Sequence, residues 1–360
     1  MSVEFRTFAL NKTYKNMTTT KKKGNVAVKA IVIAVVVGLL ALCGWLAPYV
    51  MTGAPEGGLI KLRKGSTIET ATDSLAANID TKFAQRVGKL LSMTGADLSG
   101  RQGAFKVNKG DSPFKVMRLL RSGAESGIRF TFNNVRTREE FAERWGSKFM
   151  LGKDEMVKVL NDPLALVGVG RTPENVTSML LPDSYEFYWD ITPTEFLVKM
   201  KGYYDKFWNE ERLGKARKLG LTPDQVSVIA SIVEEETAKA DERPKVARLY
   251  LNRLQQNMPL QADPTVKYAM GDFSLKRITV AMTRTPSPYN TYVNPGLPPG
   301  PIRIPEKGTL DAVLDAPDHN YIYMCAAEDF SGYHNFAVDY GTHMANARRY
   351  QDALNKRGIK

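Results

Sequence analysis

The chain has little of what builds metal centres and covalent staples. Among 360 residues there are two cysteines, Cys43 and Cys325, and three histidines, His319, His334 and His343. Cys43 lies inside an apolar run and Cys325 stands alone, so no intrachain disulfide is expected. No histidine stands at ligand spacing from a cysteine or a second histidine, so no metal and no cofactor is implied. Acidic residues are also in deficit: 38 Asp and Glu face 50 Lys and Arg, a formal net charge of +12. The excess is uneven. Residues 1–29 carry seven basic residues against Glu4, residues 30–50 carry no charge, and the long remainder is mildly basic. That balance suits an anionic surface or polymer. Basic residues nowhere interleave with aromatics as in a nucleic-acid module, so no nucleic-acid partner is expected.

Ala30 to Met51 is apolar throughout and long enough to cross a bilayer as a helix. Trp45 and Tyr49 sit where an interfacial aromatic belt would lie. The basic tail, residues 1–29, should stay cytoplasmic, leaving the C-terminal part outside the inner (plasma) membrane. A cleaved signal peptide is the competing reading. The run is long for its hydrophobic region, and Leu42 precedes Cys43 where a lipoprotein signal needs a small residue. An anchored chain would meet cell-wall or extracytoplasmic material.

Beyond the anchor the pattern is α+β. Leu59–Leu62 reads as a strand, followed by a Lys64-Gly65 turn and a helix through Leu75. The plan recurs in Ala104–Val107, Lys109-Gly110 and an amphipathic run to Leu120. Such paired halves suggest one small α+β module; two unrelated strand–helix units are the alternative. Ile128–Phe132 alternates as a strand, and Thr137 with Glu140 forms a capping box opening a helix to Trp145. Leu181–Trp189 reads as an aromatic-rich loop, suited to stacking on sugars or, more commonly, to core packing. A helix runs from Thr194 to Trp208. Another, Val246–Gln255, puts Leu249, Tyr250 and Leu254 on one face, with Arg248 and Arg253 off it. Leu260–Val266 reads as a polar loop open to substrate contacts. Ser287–Tyr292 and Gly296–Ile302 are dense in turn chemistry, as a rigid cleft wall or any ordered crossover would be. Leu310–Ala316 is expected as a helix, Tyr321–Met324 and Gly332–Phe336 as strands, and His343 as the opening of a helix to Leu354.

The stretch Val228–Thr237 organises the rest. Thr222, Pro223 and Gln225 make a capped helix start. On a wheel of about 100° per residue, Glu236 lies about 20° from Ile229 and about 40° from Ile232. It therefore continues the apolar stripe, whereas Glu234 falls opposite and Glu235 about a quarter-turn away. A carboxyl aimed at the core side is desolvated, which raises its pKa. A proton held near neutrality is what acid attack on a glycosidic bond requires. A solvated acidic helix end remains the plain alternative.

Several motifs occur together: Ala230–Thr237, Glu242-Arg243 with Asn252–Leu254, Leu260–Thr265, Ser287–Tyr292, Gly296–Gly300 and His334-x-Phe336. In this order, over residues 180–350, they resemble the endolytic murein transglycosylase (YceG-like) family. The resemblance implies a tail (1–29), a membrane helix (30–51), a LysM-like wall-binding α+β subdomain (58–125) and a mixed α+β catalytic domain (126–360). It implies a bacterial lytic transglycosylase that cleaves the β-1,4 bond after N-acetylmuramic acid within glycan strands. Peptidoglycan is then its substrate, and the peptidoglycan synthases are expected partners. Glu236 matches the family's acid/base, the residue the wheel also selects; Glu234 matches a supporting glutamate. Gln261, Asp263, Thr265, Tyr289, Asn290, Thr291, Tyr292 and His334 are the candidate substrate contacts by motif position. Where the family tends to have a Glu-Gly turn after the Ile128 strand, this chain has Asn133-Asn134, and asparagine tolerates a left-handed backbone. A lysozyme-type hydrolase and a non-catalytic wall-binding scaffold are the rival readings.

Overall fold

The structure, a computed structural model, describes residues 28–275 and 277–358. The basic tail lies outside the described residues except for Val28 and Lys29. The described chain divides after Ser126 into two compact units.

The first unit begins with α1, Val28–Val50, 23 residues with a mean hydropathy of 2.7, long and apolar enough to cross a membrane. Its side chains are exposed as far as Leu46. Tyr49 is 7% exposed and belongs to the core of the module that follows, not to an interfacial belt as the sequence suggested. In that module β1, Gly58–Leu62, pairs antiparallel with β2, Gly103–Val107, with Gly58 opposite Val107. Helices α2, Ile68–Asn78, and α3, Thr81–Met93, lie between the strands in sequence. Helix α4, Pro113–Ser122, follows β2, capped by Ser112 and ended by Gly123 at φ 70. Alternation aims Ile60, Leu62, Phe105 and Val107 into one core with Leu75, Val87 and Leu120. The two strand–helix units thus share one antiparallel pair. Helix α3 has no counterpart in that repeat.

The second unit opens with β3, Ile128–Phe132, paired antiparallel with β4, Asp183–Phe187. Between them run α5, Arg138–Gly146, α6, Lys153–Asn161, and α7, Pro163–Val167. The predicted aromatic loop is therefore largely strand. Tyr185 and Phe187 are buried, because strand alternation turns them into the core, Tyr185 against Phe132 and Phe187 against Phe149 and Phe196. Trp189, in the turn beyond the strand, is also buried, and Tyr188 is exposed. Burial excludes sugar stacking by Tyr185, Phe187 and Trp189.

Helices α8, Pro193–Phe207, and α9, Glu210–Lys218, lead to α10, Pro223–Glu236. This helix is central: every residue from Val226 to Glu234 is buried, with α9, α11, α12 and α13 packed around it. The last three are Arg243–Gln255, Asp263–Met270 and Lys307–Leu314. The predicted polar loop 260–266 is thus half helix, since Pro264 near its start fits a first turn. The hairpin β5, Tyr323–Ala326, and β6, His334–Ala337, precedes α14, Tyr340–Lys356. Strand β5 begins two residues later than expected. Helix α14 begins three residues earlier than His343, where Asp339 caps it.

Candidate active site

A central helix fixes the chemistry of its own C-terminus. Thr222 and Gln225 cap α10 reciprocally, Pro223 occupies the first turn, and Thr237 ends it in an extended conformation. Three carboxylates then crowd the negative end of a helix dipole, an unfavourable place for anions. Each must be compensated or hold its proton.

Glu234 is the most buried of the three, with a side chain 3% exposed. Its Oε1 lies 3.0 Å from Arg303 Nη2, and its Oε2 accepts from Thr309 Oγ1 at 2.6 Å and Glu306 N at 2.9 Å. Glu235 pairs with Arg303 Nη1 at 2.8 Å and with Arg136 through two bonds of 2.9 and 3.2 Å. Arg303 also donates to Asn134 Oδ1 at 2.7 Å. Asn134 stands at φ 47, a left-handed backbone that asparagine tolerates, and it joins this network.

Among the described residues Glu236 has no cation of this kind. Its Oε1 accepts from Tyr250 Oη at 2.6 Å, and it lines a cleft of ≈ 280 Å³. Part of its surface stays open to that cleft, but the protein packed around it removes most of the water that would solvate a charge. Desolvation holds its carboxyl above the usual range; Asp263 pushes it further up, against Tyr250's hydrogen bond and the electrostatic influence of His334 and Arg253.

The wheel thus set Glu236 apart from its two neighbours on incomplete grounds. Because α10 is buried all round, the side opposite the stripe is also interior. What distinguishes Glu236 is the lack of an ion-pair partner among the described residues and the access to a cleft.

Of the sequence-predicted residues, Gln261, Asp263, Tyr292 and His334 line the cleft with Glu236. Tyr292 donates its hydroxyl to Asp263 Oδ1 at 2.6 Å. His334 Nδ1 lies 2.9 Å from Glu242 Oε2, and its backbone N–H donates to Glu242 Oε1 at 2.7 Å. Gln261 is held at φ 46, and such strain in a non-glycine residue clusters at functional sites.

The other candidates form the wall behind. Thr265 and Thr291 are buried, 2.9 Å apart through their hydroxyls, and Thr291 Oγ1 accepts from Ala262 N at 3.0 Å. Asn290 donates to the carbonyls of Thr283 and Thr285, ordering the crossover. Tyr289 packs on Tyr268 with ring centroids 4.7 Å apart. These four and Glu234 support the cleft without lining it.

Sequence reading missed Tyr250, Arg253, Glu242 and the hairpin residues Met324, Cys325 and Ala326. Arg253 is buried, donating Nε to Ile322 O at 2.6 Å and Nη1 to Leu260 O at 2.7 Å, which ties the hairpin to the 260s. Arg253 and Glu242 stand in the Glu242-Arg243 and Asn252–Leu254 motifs, and that was the available signal.

An isolated, desolvated carboxylic acid facing a polar cleft can deliver a proton to a bound ether oxygen and recover one afterwards.

Residues 60–349 match the YceG-like family. The chain is 27% identical over 283 residues to the endolytic murein transglycosylase of Bacillus subtilis (strain 168), covering 74% of this chain and 78% of that protein. It is 25% identical over 307 residues to the endolytic murein transglycosylase of Streptococcus pneumoniae (strain ATCC BAA-255 / R6), covering 77% of this chain but 54% of that protein. It therefore spans about half of the pneumococcal protein's length. A crystal structure of a "yceG-like protein" from Listeria monocytogenes superposes with a TM-score of 0.54, over 81% of this chain and 98% of that one, at 23% identity. That likeness concerns the fold alone.

Proposed function

We propose, from the premise that this chain belongs to the YceG-like family, that it is a membrane-anchored endolytic murein transglycosylase with Glu236 as its acid–base group. The observation that carries the assignment is the unequal sharing of cations: Arg303 serves Glu234 and Glu235, while Glu236 has a single neutral hydrogen-bond donor at the cleft.

Glu236 begins protonated and donates to the oxygen leaving C1 of N-acetylmuramic acid. Positive charge builds at C1 as that bond breaks. The carboxylate just formed takes the proton of the same sugar's C6 hydroxyl, whose oxygen closes on C1. A 1,6-anhydro end results, the proton count balances and no water is consumed. The intramolecular nucleophile carries a large proximity advantage. Tyr250 fixes the rotamer of the acid. Asp263, held by Tyr292, supplies negative potential to the developing cation and raises Glu236's affinity for its proton. The catalytic unit is residues 126–360, and the module 58–125 is LysM-like and holds the wall. In this reading the tail is cytoplasmic, the bulk of the chain lies outside the plasma membrane, and peptidoglycan synthases supply its strands.

The full chain, incubated with isolated glycan strands in 18O-labelled water, should release unlabelled 1,6-anhydro products. Glu236→Gln should lower the rate by at least about a hundredfold. Wild-type product release by that variant would remove Glu236 from the mechanism.

The presence of Asp263 in the same cleft favours one second reading, a two-carboxylate lysozyme-type hydrolase. That enzyme would leave 18O on the reducing end.

A further inference from the structure

Helix α1 joins the module without a spacer. Its last turn meets the module, with Ala47 and Pro48 half-buried and Tyr49 in the module's core, while Val50 stays exposed. The free part, residues 28–46, measures about 28 Å at 1.5 Å per residue, close to the ~30 Å of a bilayer's hydrocarbon core. The module therefore starts where the bilayer ends.

The first residues beyond the helix pin one loop of the module there. Arg86 Nη1 donates to Thr52 Oγ1 at 3.1 Å. Ala54 N–H donates to Asp111 O, and Gly110 N–H to Ala54 O, both at 2.9 Å. Gly53 packs so closely that a Cβ there would lie 2.7 Å from Gly110 Cα. Helix α4 opens two residues after Asp111, and Phe114 is at most about 10 Å of chain from it.

Pro113, Val116, Met117 and Leu120 form the buried side of α4. Its outer side carries Phe114, 44% exposed, with Arg118 and Arg121 within about 60° of it on the helical wheel. Lys115 is engaged with Asp111 at 2.6 Å. Among the described residues Arg118 and Arg121 have no ion-pair partner, and no exposed carboxylate lies on the helix. A shallow groove along this side is lined by Phe114, Lys115, Arg118, Leu119 and Ser122. It offers one hydroxyl and two apolar side chains, a poor lining for a sugar's hydroxyls.

We propose that the outer face of α4 docks on the bilayer to which α1 anchors the chain. Phe114 enters the boundary between acyl chains and headgroups, and Arg118 and Arg121 bind anionic phospholipid headgroups. The proposal rests on α1 as a membrane span and is independent of the catalytic reading. Docking at a second point fixes the module's orientation to the membrane plane, which a single helix would leave free to rotate.

The test uses the full chain in nanodiscs of mixed zwitterionic and anionic phospholipid, in a C43A C325A background. A nitroxide is placed at F114C, its apolar ring standing in for the phenyl, or at K64C, in the turn at the far end of β1 from the anchor. Power saturation should show the F114C probe colliding more with oxygen than with an aqueous nickel chelate, and the K64C probe the reverse. R118Q and R121Q should each lower the ratio of docked to undocked protein about fivefold. Equal chelate access at both probes would overturn the proposal. Shielding of F114C only after glycan strands are added would give the face to the wall polymer instead. Shielding unchanged in R118Q R121Q would refute the headgroup contact.

Discussion

Replacing Arg303 by methionine tests whether the ion network secures the end of α10. Arg303 is 8% exposed in its side chain and pairs with both Glu234 and Glu235. Without it, Glu235 keeps Arg136, whereas Glu234 keeps only the hydroxyl of Thr309 and the N–H of Glu306. One buried anion is then stranded, at a cost of about 3–5 kcal/mol. For a unit of this size about 1 kcal/mol moves Tm by about 2–4 °C, so R303M should melt about 6–20 °C below wild type. Intrinsic fluorescence of the full chain in detergent reports this unit, because Trp145, Trp189 and Trp208 are buried in it and only Trp45 lies in the anchor. Adding E234Q removes the stranded charge, so E234Q R303M should recover much of the loss. A cost below about 1 kcal/mol for R303M would refute the reasoning. So would a double variant no more stable than R303M.

Other outcomes follow from the same geometry. Y250F deletes a hydrogen bond worth about 1.5–3 kcal/mol to a charged group, so kcat/KM should fall about ten- to a hundredfold. Since that bond lowers Glu236's pKa, the alkaline limb of the pH–rate profile should also move to higher pH; an unmoved limb would separate Tyr250 from the acid. E236Q should raise Tm at neutral pH. The native carboxyl binds its proton more tightly than the unfolded chain does, so wild-type stability falls as pH rises from the unfolded value of about 4.3 toward the folded one. The advantage should therefore vanish in melts below about pH 4, where both states are protonated. G300A should cost about 3 kcal/mol or more, because its Cβ would sit 1.8 Å from the carbonyl oxygen of Glu174, a backbone atom with nowhere to move. An unchanged melt would mean that the crossover is looser than its hydrogen bonds imply.

Local chemistry was legible wherever it was written in consecutive residues. The cap of α10, the strand β3 and the apolar span α1 lie close to where their residues place them. The strand β4 was read as a loop because Pro182, Asp183 and Ser184 open it with turn chemistry, and its pairing with β3 spans more than fifty residues. Tyr49 was read as an interfacial residue because the wall that buries it is folded from residues far along the chain. Within the cleft, Glu236, Asp263, Tyr292 and His334 come from motif positions, but Arg253 looked like a surface residue off an apolar face. Its role follows from the hairpin carbonyl it meets 69 positions away, which no helical wheel contains. The wheel set Glu234 opposite Glu236, but it could not show that this side too is interior or that Arg303, in a separate segment, pairs with Glu234.

Difference infrared spectroscopy of wild type against E236Q, titrated over pH, isolates the ionisation of this one side chain. The account predicts that a protonated-carboxyl band lost in E236Q persists in the wild type well above the ordinary glutamate range. A band that disappears at the pH of a free glutamate would contradict it.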